Sequence, residues 1–248
     1  MSTILVTGGT GTLGTLVTPL LRDAKLRVLS RHAHEAADGI EYFACDLLSG
    51  DGLEAAVDGV EVVLHLAGGP KGDDVATANL VKAAERAGIG HFVLISVIAA
   101  DRVPLGYFTR KFEAEKTVFA SGLPWTILRA AQFHGFCLDA VHAAAKLPVV
   151  PVPGGMRFQP VDAHDVAARL AGLTLGAPAG RVPDLAGPKV YTMRELVDDY
   201  LRARGTRRPK LPVRLPGKAG RAYRAGDNLN LDAETGTRTW EEFLAQTN

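Results

Sequence analysis

"TILVTGGTGTLG", Thr3 to Gly14, decides how the rest of the chain is read. An apolar, β-branched run passes into four glycines, Gly8, Gly9, Gly11 and Gly14, and a leucine-rich segment follows. A tight turn needs one or two glycines; the others imply a close approach to the backbone. In a βαβ unit the first strand points at the N-terminus of the next helix, where unpaired N–H groups and the helix dipole attract an anion. Gly8 and Gly11 permit the turn and the approach of a pyrophosphate, and Gly14 lets the helix pack on the strand. The letters satisfy both Gly9-x-Gly11-x-x-Gly14 and Gly8-x-x-Gly11-x-x-Gly14, in the strand-then-helix context that a dinucleotide site requires. Thr10, Thr12 and Leu13 fall within the same turn and join the expected cofactor contacts.

Short apolar runs then alternate with amphipathic segments. The expected strands are Ile4–Thr7, Leu26–Ser30, Glu41–Ala44, Glu61–Leu66, Phe92–Ser96 and Thr126–Arg129, nearly continuous apolar runs as in a parallel sheet covered on both faces. The expected helices are Leu13–Arg22, Gly52–Val57, Asp73–Ala87 and Lys111–Ser121. This βαβα rhythm predicts an α/β fold with a doubly wound (Rossmann) parallel sheet. Pro19 fits poorly, because a proline inside the first helix removes a hydrogen bond. Near residue 130 the rhythm changes. Extended pieces at Val149–Val152 and Met156–Val161 precede a helix from Asp162, and Thr192 with Glu195 reads as a capping box. The reading is a binding core over 1–134 and a mixed segment over 135–248 that completes the sheet and forms a small substrate lobe.

Bulk properties exclude several classes. The 248 residues suit one large domain or a core with a small companion. No run reaches the roughly 18 apolar residues of a membrane span, and no basic-then-apolar leader opens the chain. Charge is near balance, formally +1, which gives no reason to expect nucleic-acid binding. Cys45 and Cys137 lack metal-ligand spacing and read as buried thiols of a reducing, cytoplasmic compartment; no metal is expected. The stretch Arg202–Arg224 holds nine Lys or Arg and no acid, read as a solvated surface or as a basic rim to an anionic substrate.

The second strand bears on which dinucleotide is held. A site for NAD places an acid at its end, whereas this chain reads "RVLSRH", Arg27 to His32, with Ser30 and Arg31 there. A guanidinium pairs with a 2′-phosphate and an acid repels it, so NADP(H) is favoured over NAD(H). The alternative is a solvated surface arginine.

Taken together, the chain resembles the atypical short-chain dehydrogenase/reductase superfamily, in the group of NmrA-like and isoflavone-reductase-like proteins. The likeness rests on "VTGGTGTLG", on "CDL" at Cys45–Leu47, on "LHLAGG" at Leu64–Gly69 and on "FVLIS" at Phe92–Ser96. It continues in "YFTRK" at Tyr107–Lys111, "WTILRAAQF" at Trp125–Phe133 and "PVDAHDVA" at Pro160–Ala167. The resemblance implies Asp46 and Leu47 near the adenine, and Ala67, Gly68 and Gly69 along the ribose and pyrophosphate. It implies Ser96 and Val97 at the nicotinamide half, with Ala130, Ala131, Gln132 and Phe133 flanking the nicotinamide and the substrate entrance. Phe133, His134 and Phe136 are the expected rim of the substrate cleft. Asp162, Asp165 and His164 read as helix-start and surface residues.

Tyr107 and Lys111 stand four apart and share a helix face. In the superfamily such a pair carries the chemistry: the lysine binds the nicotinamide ribose and lowers the tyrosine pKa, and the phenol exchanges a proton. The usual serine lies a little past the fifth strand, where this chain reads Ser96, Val97, Ile98, so Ser96 is the catalytic serine on offer. Three functions follow. The first is an NADPH-dependent oxidoreductase of a small carbonyl, quinone or conjugated substrate. The second is a non-catalytic NADP sensor of the NmrA type, and the third a nucleotide-sugar epimerase or dehydratase. The expected partners are a small molecule, no nucleic acid and no membrane, with the protein a monomer or homodimer.

Overall fold

The computed structural model of the chain describes residues 2–32, 39–69 and 71–247. It opens with β1 (Thr3–Thr7), α1 (Thr12–Val17), β2 (Lys25–Ser30) and β3 (Ile40–Ala44). Next come α2 (Leu53–Val57), β4 (Val62–His65), α3 (Asp73–Ala87) and β5 (His91–Val97). The core ends with α4 (Gly106–Ala120) and β6 (Trp125–Ala130). These strands lie parallel in the order β3-β2-β1-β4-β5-β6, the doubly wound arrangement. Successive residues of β1 point to opposite faces. Ile4 and Val6 join the core that holds Leu13 and Val17 of α1, while Leu5 joins the one under α2 and α3.

The chain continues with α5 (His134–Ala145), β7 (Val150–Pro153), β8 (Arg157–Phe158) and α6 (Ala163–Leu175). Then come β9 (Gly180–Arg181), β10 (Leu185–Ala186), β11 (Tyr191–Thr192) and α7 (Met193–Ala203). It ends with β12 (Lys210–Val213), α8 (Gly217–Ala225), β13 (Glu234–Thr235) and α9 (Trp240–Gln246). β10 and β13 extend the sheet beyond β6, and β9 also pairs with β6. Helix α6 returns to pack with α1, burying Val166 and Leu170 in the same core. Asp162 caps it by accepting from the His164 N–H at 2.8 Å. The capping box of Thr192 and Glu195 starts α7 as expected. Trp240 is fully buried and donates from Nε1 to the Leu196 carbonyl at 3.3 Å, tying α9 to α7. No helix among the described residues is long and apolar enough to cross a membrane.

Two local differences from the expected elements have physical causes. Helix α1 stops at Val17, and Thr18–Leu21 forms one 3-10 turn with Pro19 in its first positions. There a missing N–H costs nothing, because first-turn donors have no partner within the helix. Helix α4 starts at Gly106, one turn earlier than expected from Lys111, and so carries Tyr107 and Lys111 on one helix. The chain reaches it through a buried turn at Val97–Ala100, where Ala99 adopts φ +67° and its carbonyl accepts from Arg102 and Val103. That compact turn accounts for the short path from Ser96 to Tyr107.

Helix α4 is locked to the sheet by charge. Arg129 of β6 donates to both oxygens of Glu115, from Nε at 2.7 Å and Nη2 at 2.6 Å, and from Nη1 to Asp101 at 2.7 Å. Glu115 is fully buried and Arg129 nearly so. Breaking a buried pair strands a charge away from water. Arg129→Met is therefore expected to lower the unfolding free energy by about 3–5 kcal/mol, read by urea denaturation near neutral pH.

Candidate active site

In open α/β sheets ligands bind outside the carboxyl ends of the strands where the strand order reverses. Here that point lies between β1 and β4. Their last residues, Thr7 and His65, face each other in register, and Thr7 Oγ1 lies 2.6 Å from His65 Nδ1. The hydrogens follow from the partners. Thr7 Oγ1 accepts from the Ala67 N–H at 3.1 Å, and it donates to Nδ1 because the far end of the chain makes Nε2 the protonated nitrogen. His65 Nε2 then donates to Thr77 Oγ1 at 3.0 Å, and Thr77 donates to the Asp73 carbonyl at 2.7 Å. Burial, and secondarily the Lys111 charge, lower the His65 pKa to about 3, so the ring is neutral.

The glycine turn closes over this chain of bonds. Gly8 has φ +68°, and a Cβ there would lie 2.7 Å from the Ala67 nitrogen. A Cβ on Gly14 would lie 2.3 Å from the Gly8 carbonyl oxygen. Gly11 caps α1 without a side chain, no acid stands in the first turn, and Thr10, Gly11 and Thr12 are exposed. This cradle fits a diphosphate: the first-turn donors of α1 have no helical partners, and no acid stands in that turn. At the end of β2, Ser30 is buried and accepts from the His32 N–H at 3.2 Å, while Arg31 is exposed. After β3, Asp46 accepts from the Leu48 N–H at 2.9 Å, and Asn79 of α3 donates to the Leu47 and Leu48 carbonyls at 2.9 and 3.0 Å.

Lys111 lies beneath the segment after β4. A Cβ on Gly68 would be 2.7 Å from Lys111 Nζ and 3.0 Å from Asp73 Oδ1. The ammonium is buried, 3.2 Å from Asp73 Oδ2, and donates to the Ile95 carbonyl at 3.3 Å. Burial pushes the Asp73 carboxyl up against the lowering effect of Lys111. Tyr107, one turn earlier, keeps 41 % of its surface exposed. Surrounding protein, and then the Asp73 charge, push its phenol up to about 12. The phenol thus lies above its ordinary value, not below it as the pairing with Lys111 implies: burial is the larger cause, and the Asp73 charge adds to it.

Ser96 and His134 stand elsewhere than expected. The Ser96 hydroxyl is buried and donates to Glu115 Oε1 at 2.5 Å, inside the ion pair that fixes α4. Val97 is buried beside it, and Ala130 and Ala131 are buried at the end of β6. His134 does not line a substrate rim. It is buried, its ring is 5.0 Å from Phe243 and 6.0 Å from Trp240, and Nδ1 is 3.7 Å from Asp162. As the first residue of α5 it turns under the helix toward α9. Phe133 is half-buried against the core, whereas Phe136 is exposed. Gln132 has both amide atoms buried without a hydrogen-bond partner among the described residues. Asp73, His65 and Tyr223 of α8, which is close enough to feel Tyr107, gave no signal in the sequence. A hollow of about 480 Å³ near Glu61, His91 and Thr174 lies at the opposite ends of the strands, away from this crevice.

A crevice with a glycine cradle at the switch point and a buried lysine at its floor is that of a pyridine-nucleotide-binding α/β protein. The chain belongs to the NAD(P)H-binding family, whose model matches residues 8–171. It is 31% identical over 210 residues, 82% of this chain and 74% of the relative, to (4-alkanoyl-5-oxo-2,5-dihydrofuran-3-yl)methyl phosphate reductase of Streptomyces griseus. It is 32% identical over 202 residues, 78% of this chain and 71% of the relative, to an NAD(P)H azoreductase of Xenophilus azovorans. The quinone oxidoreductase QOR2 of Escherichia coli in complex with NADPH has the same fold, with a TM-score of 0.85 at 22% identity, covering 98% of this chain and 99% of that one. The resemblance to the atypical short-chain dehydrogenase/reductase group is borne out, and with it the class of NAD(P)-dependent oxidoreductase.

The buried imidazole sets an acid limit. His65 is neutral in the fold down to about pH 3 but takes a proton near 6.5 when unfolded. The unfolded chain therefore binds the extra proton between those values, and stability falls as pH drops from 6.5 toward 3, by about 5 kcal/mol at the limit. Urea denaturation of His65→Gln should show about 1–3 kcal/mol less stability near pH 7 and a shallower acid decline than the parent.

Proposed function

We propose that the protein is an NADPH-dependent reductase of a small carbonyl, quinone or conjugated acceptor. The observation that carries this reading is the placement of Lys111 directly beneath Gly68, with Tyr107 one turn before it on α4 and open to solvent. Bound NADPH supplies a hydride. The residues assigned to holding the dinucleotide start with Gly8 and the turn Thr10–Gly14, whose backbone N–H groups take the diphosphate. Arg31 and Ser30 take the 2′-phosphate, Asp46 and Leu47 the adenine side, and Ala67, Gly68 and Gly69 the ribose and pyrophosphate edge. Val97, Ala130, Ala131 and Phe133 wall the nicotinamide end. Gln132, with its unpaired buried amide, is assigned to a polar group of the nicotinamide or substrate.

Tyr107 is the proton donor to the reduced substrate, and its raised pKa keeps it a phenol at neutral pH. Lys111 orients the ribose. Ser96 is assigned to holding α4 through Glu115, not to the substrate. Residues 135–248 form the substrate lobe, in which the exposed Phe136 offers an apolar surface to a flat acceptor. Regulation without turnover is disfavoured by an exposed phenol beside the lysine.

With quinones and ketones as acceptors, Tyr107→Phe should lower kcat by about 100-fold or more while leaving the Kd for NADPH within about threefold, by fluorescence titration. Binding of NADPH without turnover of any acceptor would favour a sensor. Arg31→Asp should swing preference toward NADH by about tenfold or more, the worth of one charge-assisted contact, and an unchanged ratio of Kd values would remove Arg31 from the site.

A further inference from the structure

We propose that Asp73 is a positioning residue of the reaction, holding the Lys111 ammonium under Gly68 and cancelling its charge so that Tyr107 acts as an acid rather than a base. The proposal rests on the reductase reading above. Asp73 is the first residue of α3, after Gly72 in the left-handed conformation, and its side chain is 1% exposed. A carboxylate at a helix start is ordinarily a solvated partner of the dipole. This one is turned inward. Its Oδ2 has no hydrogen-bond partner of good geometry and faces only the ammonium at 3.2 Å, with Oδ1 at 3.5 Å. Its own backbone carbonyl receives the hydrogen of Thr77, the last link from Thr7 through His65. The strand ends that shape the dinucleotide crevice therefore also fix where Asp73 stands.

A buried lysine and a buried aspartate are each intolerable alone and tolerable as a neutral pair. The pair has a consequence for the phenol one helical turn away. A bare ammonium would stabilise phenolate; an ammonium matched by a carboxylate does not, and beyond the larger effect of burial the Asp73 charge raises the Tyr107 pKa. Other titratable or charged groups lie near. Asp74 on α3 and Arg110 on α4 act on Asp73 with opposite signs. His65 on β4 is held neutral, and Tyr223 on α8 and Cys137 on α5 are pushed up to about 12 by burial. None of these replaces the pairing. In the reduction, hydride adds to the substrate carbon and the C=O π pair moves to oxygen. That oxygen takes the Tyr107 proton, and the phenolate left behind is reprotonated by solvent at its exposed edge.

Asp73→Asn keeps the shape and removes the charge. Phenolate absorbance, read against the same variant carrying Tyr107→Phe, should show the Tyr107 midpoint lower than in the parent, with the part due to burial remaining. The reductive kcat should lose its alkaline limb at correspondingly lower pH, with KM for the acceptor changed less than about twofold. An unchanged midpoint and pH profile, in a protein that binds NADPH and turns over, overturns the role of Asp73 and leaves the reductase reading intact. Failure of the parent to bind NADPH overturns the reductase reading, while the absorbance titration still reports on Asp73. Should Asp73→Asn not fold, Lys111→Met should raise the Tyr107 midpoint and Lys111→Met with Asp73→Asn should return it toward the parent. A midpoint that does not respond to either overturns the proposal.

Discussion

The crevice depends on the hydrogen bond between Thr7 and His65, at the ends of the two strands where the order reverses. It has one workable arrangement of hydrogens, because Thr77 spends its hydroxyl hydrogen on the Asp73 carbonyl and can only accept from the imidazole. Nε2 therefore carries the proton, and Nδ1 accepts from Thr7. Protonating His65 would turn Nδ1 into a second donor facing the Thr7 hydroxyl and add a cation near Lys111 in a fully buried site. The neutral imidazole is thus a condition for the geometry. The glycine turn, the segment after β4 and the start of α3 are three pieces of backbone from distant parts of the sequence. One buried bond chain sets their spacing.

Helix α4 answers to the same crevice from the other side. A helix against a sheet normally buries an apolar stripe. This one buries Lys111 and Glu115, four residues apart and therefore on one face. Each meets a partner of opposite sign from a different element, Asp73 from α3 and Arg129 from β6. A slip of α4 by one turn would bring Lys111 toward Arg129 and leave Glu115 without its partner. Apolar side chains would tolerate such a slip better, since packing between them is non-directional. The ion pairs give the helix a register, and through it they fix the height of Tyr107 above the sheet.

Much of the fold was legible because parallel strands buried on both faces read as apolar runs, and the six strands of the core were all found in the sequence. The glycine turn was legible for the same kind of reason: a backbone that must come within contact distance of another leaves no room for Cβ. The short strands β9, β10 and β13 were not, since two residues carry no periodicity. The start of α4 was missed because Gly106 is a poor helix former and Leu105 supplies no cap. The four-residue spacing of Tyr107 and Lys111 correctly put them on one helix. His65 was hidden within "VVLHLA", and Asp73 looked like any acid at a helix start. Ser96 and His134 were misplaced for one reason: sequence position gives the strand or helix end, but not which way the side chain turns.

That distinction separates what each half of the chain can be asked. The dinucleotide crevice is written in backbone requirements, which glycine and strand patterns display. The acceptor side proposed above is written in side chains from α5 and α8, and the two behave differently. Within α5, His134 turns into the aromatic packing of α9 while Phe136, two residues on, stays exposed. Within α8, Tyr223 is buried near Tyr107 although its neighbours Lys218 and Arg221 are exposed. The basic stretch thus faces solvent along a helix whose inner side approaches the phenol.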